Sequence, residues 1–74
     1  MWIKTKNKKT LIKVTRVSVV KSFGKYHITA VMPGQGSFDA AEEIGKYESE
    51  TAADAEFRAI EHCIKEGIKF YEMK

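Results

Sequence analysis

The sequence predicts an α+β fold, a small antiparallel β-sheet with one amphipathic helix packed on one face, in the chain order β-β-β-β-α-β. Three observations lead there. Apolar and polar residues alternate with a period of two in segments up to Tyr47, an apolar stripe at helical spacing follows from Ala53 to Ile64, and a short apolar segment closes the chain. The 74 residues make a single domain. A chain of that size buries only about 60% of its unfolded surface and has little room for a deep cleft.

The first strand runs from Trp2 to Lys6, with Trp2, Lys4 and Lys6 on one side and Ile3 and Thr5 on the other. Asn7, Lys8 and Lys9 supply a polar turn. Leu11 to Val14 resumes the alternation, Ile12 and Val14 matching Ile3 while Lys13 matches Lys4 and Lys6. Val17 and Val19 continue it one residue out of phase, and a strand cannot slip by one without turning over. A bulge or short break is therefore expected near Thr15 and Arg16. Ser22 to Lys25 reads as a hairpin turn, with Gly24 free to take a positive φ, and Tyr26 to Met32 forms the third strand. Pro33 and Gly34 suit the centre of a type II turn. Phe38 to Tyr47 is the fourth strand, regular only toward Ile44 and Tyr47 because Ala40, Ala41, Glu42 and Glu43 suit a pleated surface poorly.

A helix is predicted from Ser49 or Thr51 to Glu66. Ser49 can cap the free amides of its first turn, with Glu50 against the positive end of the dipole; Thr51 followed by Asp54 is the alternative cap. Ala53, Phe57, Ile60 and Ile64 form the stripe expected to lie on the sheet. Gly67 stands where a C-terminal cap belongs, and Ile68 to Met73 forms the last strand.

Met1-Trp2-Ile3-Lys4-Thr5, the junction Gly45-Lys46-Tyr47-Glu48-Ser49-Glu50 and the closing Glu66-Gly67 resemble a group of uncharacterised small proteins of Gram-positive bacteria and their phages. Those proteins begin Met-Trp-Ile and share a Gly-x-Tyr-x-Ser/Thr-Glu strand-to-helix junction. The resemblance spans most of the chain except Lys8 to Ala41. It implies the same architecture and a phage or accessory-gene setting, but no assigned activity and no catalytic residue. Gly45, Tyr47 and Ser49 also have plain structural roles in the strand and the cap.

No motif names a reaction or a cofactor. Glu42 and Glu43 are adjacent carboxylates, but in a strand they point to opposite faces. His62 and Glu66 lie one helical turn apart, and two ligands do not make a metal site. Cys63 follows Ala52, Ala55 and Ala59 along a small-residue edge and reads as a packed thiol; adjacency on a helix does not pair it with His62. Gly34-Gln35-Gly36-Ser37 lacks the helix N-terminus that a phosphate loop requires. One cysteine and no apolar run of about 18 residues point to a reducing cytoplasm rather than to secretion or a membrane span. Nor does the lysine-broken stretch from Met1 to Val20 have the form of a signal peptide. The expectation is a cytoplasmic protein that is not an enzyme and carries no cofactor, no metal and no small-molecule substrate.

Charge is divided along the chain. Residues 1–38 hold eight basic groups and no acid, giving +8, while residues 39–74 hold five basic and ten acidic groups, giving −5. If Ile3, Ile12 and Val14 face the helix, Lys4, Lys6 and Lys13 project from the opposite face beside Trp2, with Lys8 and Lys9 at the hairpin tip. Such lysines with an aromatic neighbour suit a phosphate backbone and an unstacked base. They equally suit a solvated strand guarded against aggregation. From Glu48 to Glu66, six acids against Arg58 and Lys65 give the opposite sign, −4. The expected function is a non-catalytic protein-interaction or self-associating accessory module, a homo-oligomer docked face to face or through the first or last strand as a sheet edge. The alternative is a nucleic-acid-binding protein using Trp2, Lys4, Lys6, Lys8, Lys9 and Lys13.

Overall fold

A computed structural model of the chain describes residues 1–33 and 41–74. The expected turn at Pro33-Gly34, the glycine-rich Gly34 to Ser37 and the start of the fourth strand, Phe38 to Ala40, lie outside the described residues, apart from Pro33 itself. In chain order the elements are β1 (Trp2–Lys4), β2 (Leu11–Lys13), β3 (Arg16–Ser22), β4 (Lys25–Val31), β5 (Glu42–Tyr47), α1 (Glu50–Lys65) and β6 (Phe70–Glu72). Strands, one helix and a closing strand make the α+β order that the sequence predicts. The expected break near Thr15 and Arg16 is present and separates β2 from β3.

That break divides the strands into two three-stranded sheets, with orders β2-β1-β6 and β3-β4-β5. Val14 is buried at the end of one sheet and Val17 packs against the core from the next, so the slipped apolar phase is absorbed at Thr15 and Arg16, both exposed. The second sheet is wholly antiparallel, whereas the first pairs β1 with β2 antiparallel and with β6 in parallel. The parallel pair follows from connectivity, since β6 returns to β1 only after α1 has crossed the core. The two sheets are stitched at their ends by the Lys6 N–H donating to the Ile44 carbonyl at 3.0 Å and the Thr15 N–H donating to the Val31 carbonyl at 2.8 Å.

One core joins them. Ile3, Ile12 and Val14 come from the first sheet, Ile28, Ala30, Ile44 and Tyr47 from the second, Ala53 and Ile60 from α1, and Met73 from the C-terminal end. Ile3, Ile28, Ile60 and Met73 are its largest fully enclosed side chains. Each aliphatic side chain enclosed in this way contributes about 1.5–3 kcal/mol relative to exposure.

Local signals set the ends of the elements. Phe23 and Gly24, with φ of 51° and 75°, form the two central positions of a two-residue hairpin loop between paired Ser22 and Lys25. Ser49 Oγ accepts from the Ala52 N–H at 3.2 Å, which selects Ser49 over Thr51 as the N-cap. At the other end, Gly67 at φ 74° lets its N–H reach the Ile64 carbonyl and the Ile68 N–H reach the Cys63 carbonyl. This is the paired closure that left-handed glycine permits.

The helix faces the core differently from the expected stripe. Its buried residues are Ala53, Glu56 and Ile60, with Phe57 half-buried and Ile64 55% exposed. Burial of Ile64 on the sheet was expected, and the structure corrects that. Rotation toward Glu56 brings that carboxylate to the Lys74 N–H and leaves Ile64, with Phe57 and Ile60, beside Val17 of β3.

Gly45 on β5 is required by a close approach. A Cβ added there would lie 2.8 Å from Met73 Cε and 3.0 Å from two atoms of the Tyr47 side chain. All three belong to enclosed groups, so Gly45→Ala is expected to destabilise the fold by about 1–3 kcal/mol through overpacking. Urea denaturation measures this as a lower midpoint with an unchanged slope; an unchanged midpoint would mean that Met73 and Tyr47 give way freely.

Candidate functional site

The six residues expected to bind nucleic acid fall into two groups. Trp2 and Lys4 on β1 and Lys13 on β2 share the face of the first sheet turned away from the core, because Ile3 and Ile12 occupy the inward positions. Trp2 is directly opposite Lys13 on one side and Phe70 of β6 on the other, while Lys4 stands between Leu11 and Glu72. Trp2, Phe70 and Leu11 are 48%, 48% and 59% exposed. Lys4, Lys9 and Lys13 pair with no carboxylate among the described residues.

Lys6 and Lys8 are engaged elsewhere. Lys6 Nζ sits 3.9 Å from the centre of the Tyr47 ring and donates to the Lys46 carbonyl at 2.6 Å. Lys8, held at φ 67° in the turn, donates to the Met73 carbonyl and lies 3.3 Å from Glu72. The expectation that Lys6 projects with Lys4 and Lys13 is thereby corrected: the chain turns away after β1, and the Lys6 N–H joins β5. Lys9 remains at the tip, its backbone N–H bonded to Asn7 Oδ1. Phe70 is the member of this face that sequence reasoning missed, because only the parallel register of β6 sets it beside Trp2.

The first strand is not an edge, since β1 lies between β2 and β6. The longest free edge belongs to β3, whose seven residues pair in unbroken register with β4 on one side and with no strand among the described residues on the other. Beside it, Val17, Phe57, Ile60, Glu61, Ile64 and Lys65 line a groove of about 320 Å³ beneath the overhanging helix. Glu61 and Lys65 form an exposed i,i+4 pair at 3.7 Å on its rim.

The catalytic candidates disperse. Glu43 pairs with His27 across β4 and β5, and Glu42 is exposed. His62 and Glu66 are exposed and Cys63 is half-buried. Among the described residues, no three or more His, Cys, Asp or Glu side chains are grouped to hold a metal ion, and no helix is long and apolar enough to cross a membrane. Glu48 binds Lys25, and that hydrogen bond holds its carboxyl below the usual range.

One ionisable cluster was not anticipated. Glu56 is 6% exposed and accepts from the Lys74 N–H at 3.2 Å, securing the chain after β6. Near it lie the hydroxyls of Tyr47 and Tyr71, both enclosed and both without a hydrogen bond of proper geometry. Burial, with the Glu56 carboxylate second, pushes Tyr47 up to about 12 and raises Tyr71 as well. Period and propensity place an acid in this helix readily but do not say which acid is covered.

No protein family, curated protein or solved structure matches the chain.

The buried phenols give a pH-dependent expectation. The folded state holds the Tyr47 proton more tightly than the unfolded chain, so stability is intact below the ordinary value of 10.0 and falls as pH rises toward about 12. Tyr47→Phe removes an unpartnered hydroxyl and keeps the ring beneath Lys6, so it is expected to be neutral or stabilising at neutral pH. It should also lessen the alkaline loss. Urea midpoints at neutral pH and at about pH 11 compare the two proteins; an equal loss in both would remove Tyr47 from the account.

Proposed function

We propose that the chain is a non-catalytic, cytoplasmic interaction module that self-associates through the free edge of β3. The observation that carries this reading is the unbroken seven-residue edge beside an apolar overhang. A free edge offers a row of unpaired N–H and C=O groups, and β3 contains neither a proline nor a bulge to blunt it. Its charges, Arg16 and Lys21, sit toward its ends, leaving Val17 to Val20 as the pairing segment. Ile64, exposed above it, gives an incoming strand an apolar lid.

A second copy fits this edge through its own β3. Antiparallel pairing about Val19 extends the second sheet to six strands, with a two-fold axis through the two Val19 residues. Lys21 of each copy then lies opposite Val17 of the other, on the side where Glu61 lines the groove. Two Lys21–Glu61 contacts form, one at each end. Charge complementarity of this kind sets register and orientation more than affinity. The resemblance to small phage-associated proteins accords with such an accessory role.

Sedimentation velocity over a micromolar concentration series tests the proposal. Wild type is expected to pass from monomer to dimer. Lys21→Glu and Glu61→Lys should each weaken the dimer about tenfold by placing like charges together, and the double exchange should restore it; exposed pairs of this type contribute up to about 1 kcal/mol each. A strict monomer throughout the series would defeat self-association. A dimer indifferent to both charge reversals and to Ile64→Glu would place the contact elsewhere.

A further inference from the structure

We infer that the outer face of the β2-β1-β6 sheet binds single-stranded nucleic acid, with Trp2 and Phe70 as adjacent stacking platforms and Lys4 and Lys13 as phosphate contacts. This goes beyond self-association through β3, which uses the other sheet.

Two aromatic side chains stand on directly paired positions of neighbouring strands, each about half exposed, on a face whose reverse side is the core. A strand spacing of about 4.8 Å separates their attachment points, which is close enough for both rings to meet neighbouring bases of one strand. Stacking needs bases with free faces. The bases of an intact duplex stack on each other, so exposed aromatic side chains favour single strands.

Charge supports the same ligand. Lys13 adjoins Trp2, Lys4 follows Trp2 along the central strand, and Lys9 stands at the nearby turn, none paired with a carboxylate among the described residues. The acid on this face, Glu72, is offset by Lys8 at 3.3 Å. Local charge is therefore positive where the aromatics are exposed.

The alternative occupant, an apolar protein surface, fits less well. Protein interfaces exclude lysine from their centres, and Lys4 occupies the central strand between Leu11 and Glu72. Covering the face with apolar side chains would strip water from an unpaired ammonium group, whereas a phosphate backbone would replace that water with an anion. Leu11 can then serve as an apolar flank to a stacked base or sugar.

Trp2 is the only tryptophan, so the probe is built in. Full-length protein is titrated into a fluorescein-labelled oligothymidylate of about ten nucleotides, a length within the usual site size of a stacking sheet. Anisotropy reports binding, and quenching of tryptophan emission by unlabelled oligonucleotide reports stacking. Saturable binding is expected at about 50 mM salt, weakening steeply by about 200 mM. Trp2→Ala and Phe70→Ala should each reduce affinity about tenfold or more. Lys4→Gln and Lys13→Gln should each lower the salt slope by about 0.7, the increment for one phosphate on a single strand. Lys6→Gln, which alters a lysine held over Tyr47, should leave the slope unchanged. Circular dichroism confirms folding of each variant; should Trp2→Ala fail to fold, Phe70→Ala and Lys13→Gln decide alone.

Absence of binding at the lower salt overturns the inference. So does binding that Phe70→Ala and Lys13→Gln leave intact, or equal affinity for a duplex of the same length. Capture by vesicles containing anionic lipid, without oligonucleotide binding, would reassign the face to a membrane surface and likewise overturn it. Lys21→Glu does not touch this face, so loss of the dimer with retained oligonucleotide binding separates the two proposals.

Discussion

Close approach at Gly45 is the constraint on which the rest of the structure depends. Met73 and the Tyr47 ring both occupy the space a side chain would fill, so the C-terminal segment can seal the core only because β5 is bare at that point. Sealing there fixes β6 beside β1, with the Trp2 N–H bonded to the Lys69 carbonyl and the Met73 N–H to the Lys4 carbonyl. Just beyond Met73, the Lys74 N–H donates to Glu56 of α1, which ties the helix to the same chain end. In a domain this small, the bare position on β5 thus couples the last strand to the second sheet.

The buried carboxylate follows from that arrangement. A helix that turned Phe57 and Ile64 fully onto the sheet would draw Glu56 away from the chain end and leave the Lys74 N–H without this acceptor. Rotating instead toward Glu56 satisfies that group and places an acid beside two phenols that hold their protons more firmly, first through burial and second through Glu56. The same rotation exposes Ile64 above β3. An internal polar requirement at one end of α1 therefore generates the apolar overhang at the other.

Local patterns in the sequence carry much of the fold. The helix start at Ser49, the closure at Gly67, the turn at Gly24 and the break near Thr15 are all near-neighbour effects, set within a few residues by capping, positive φ or phase. What the sequence withheld is long-range. Parallel pairing of β6 with β1 depends on where the helix delivers the chain, and with it the juxtaposition of Trp2 and Phe70. Lys6 reads as projecting with Lys4 by alternation and Lys8 as a residue of the hairpin tip, yet one is held over Tyr47 and the other to Met73, partners about 40 and 65 residues distant. Of the six basic-face residues chosen from the sequence, alternation served those within β1 and β2 and failed where the chain left the strand.

Charge segregation along the chain now has a more specific physical form. The basic N-terminal half does not make one uniform surface: Lys6 and Lys8 neutralise or cover groups of the C-terminal half, while Lys4 and Lys13 stay free on the first sheet and Lys21 lies near the edge of the second. Lys21 Nζ lies 5.6 Å from the centre of the Tyr26 ring, and the proposed antiparallel neighbour would bring it across from Val17 of a second copy, toward Glu61. Lys4 and Lys13 stand on the same outer face as the exposed Trp2 and Phe70, the setting from which nucleic-acid binding is proposed. The proposed pairing through β3 would leave the first sheet's outer face uncovered, and two such faces in one dimer would raise the effective concentration of the second for any strand long enough to reach both. The two proposed uses fall on two sheets that the phase slip at Thr15 and Arg16 keeps separate.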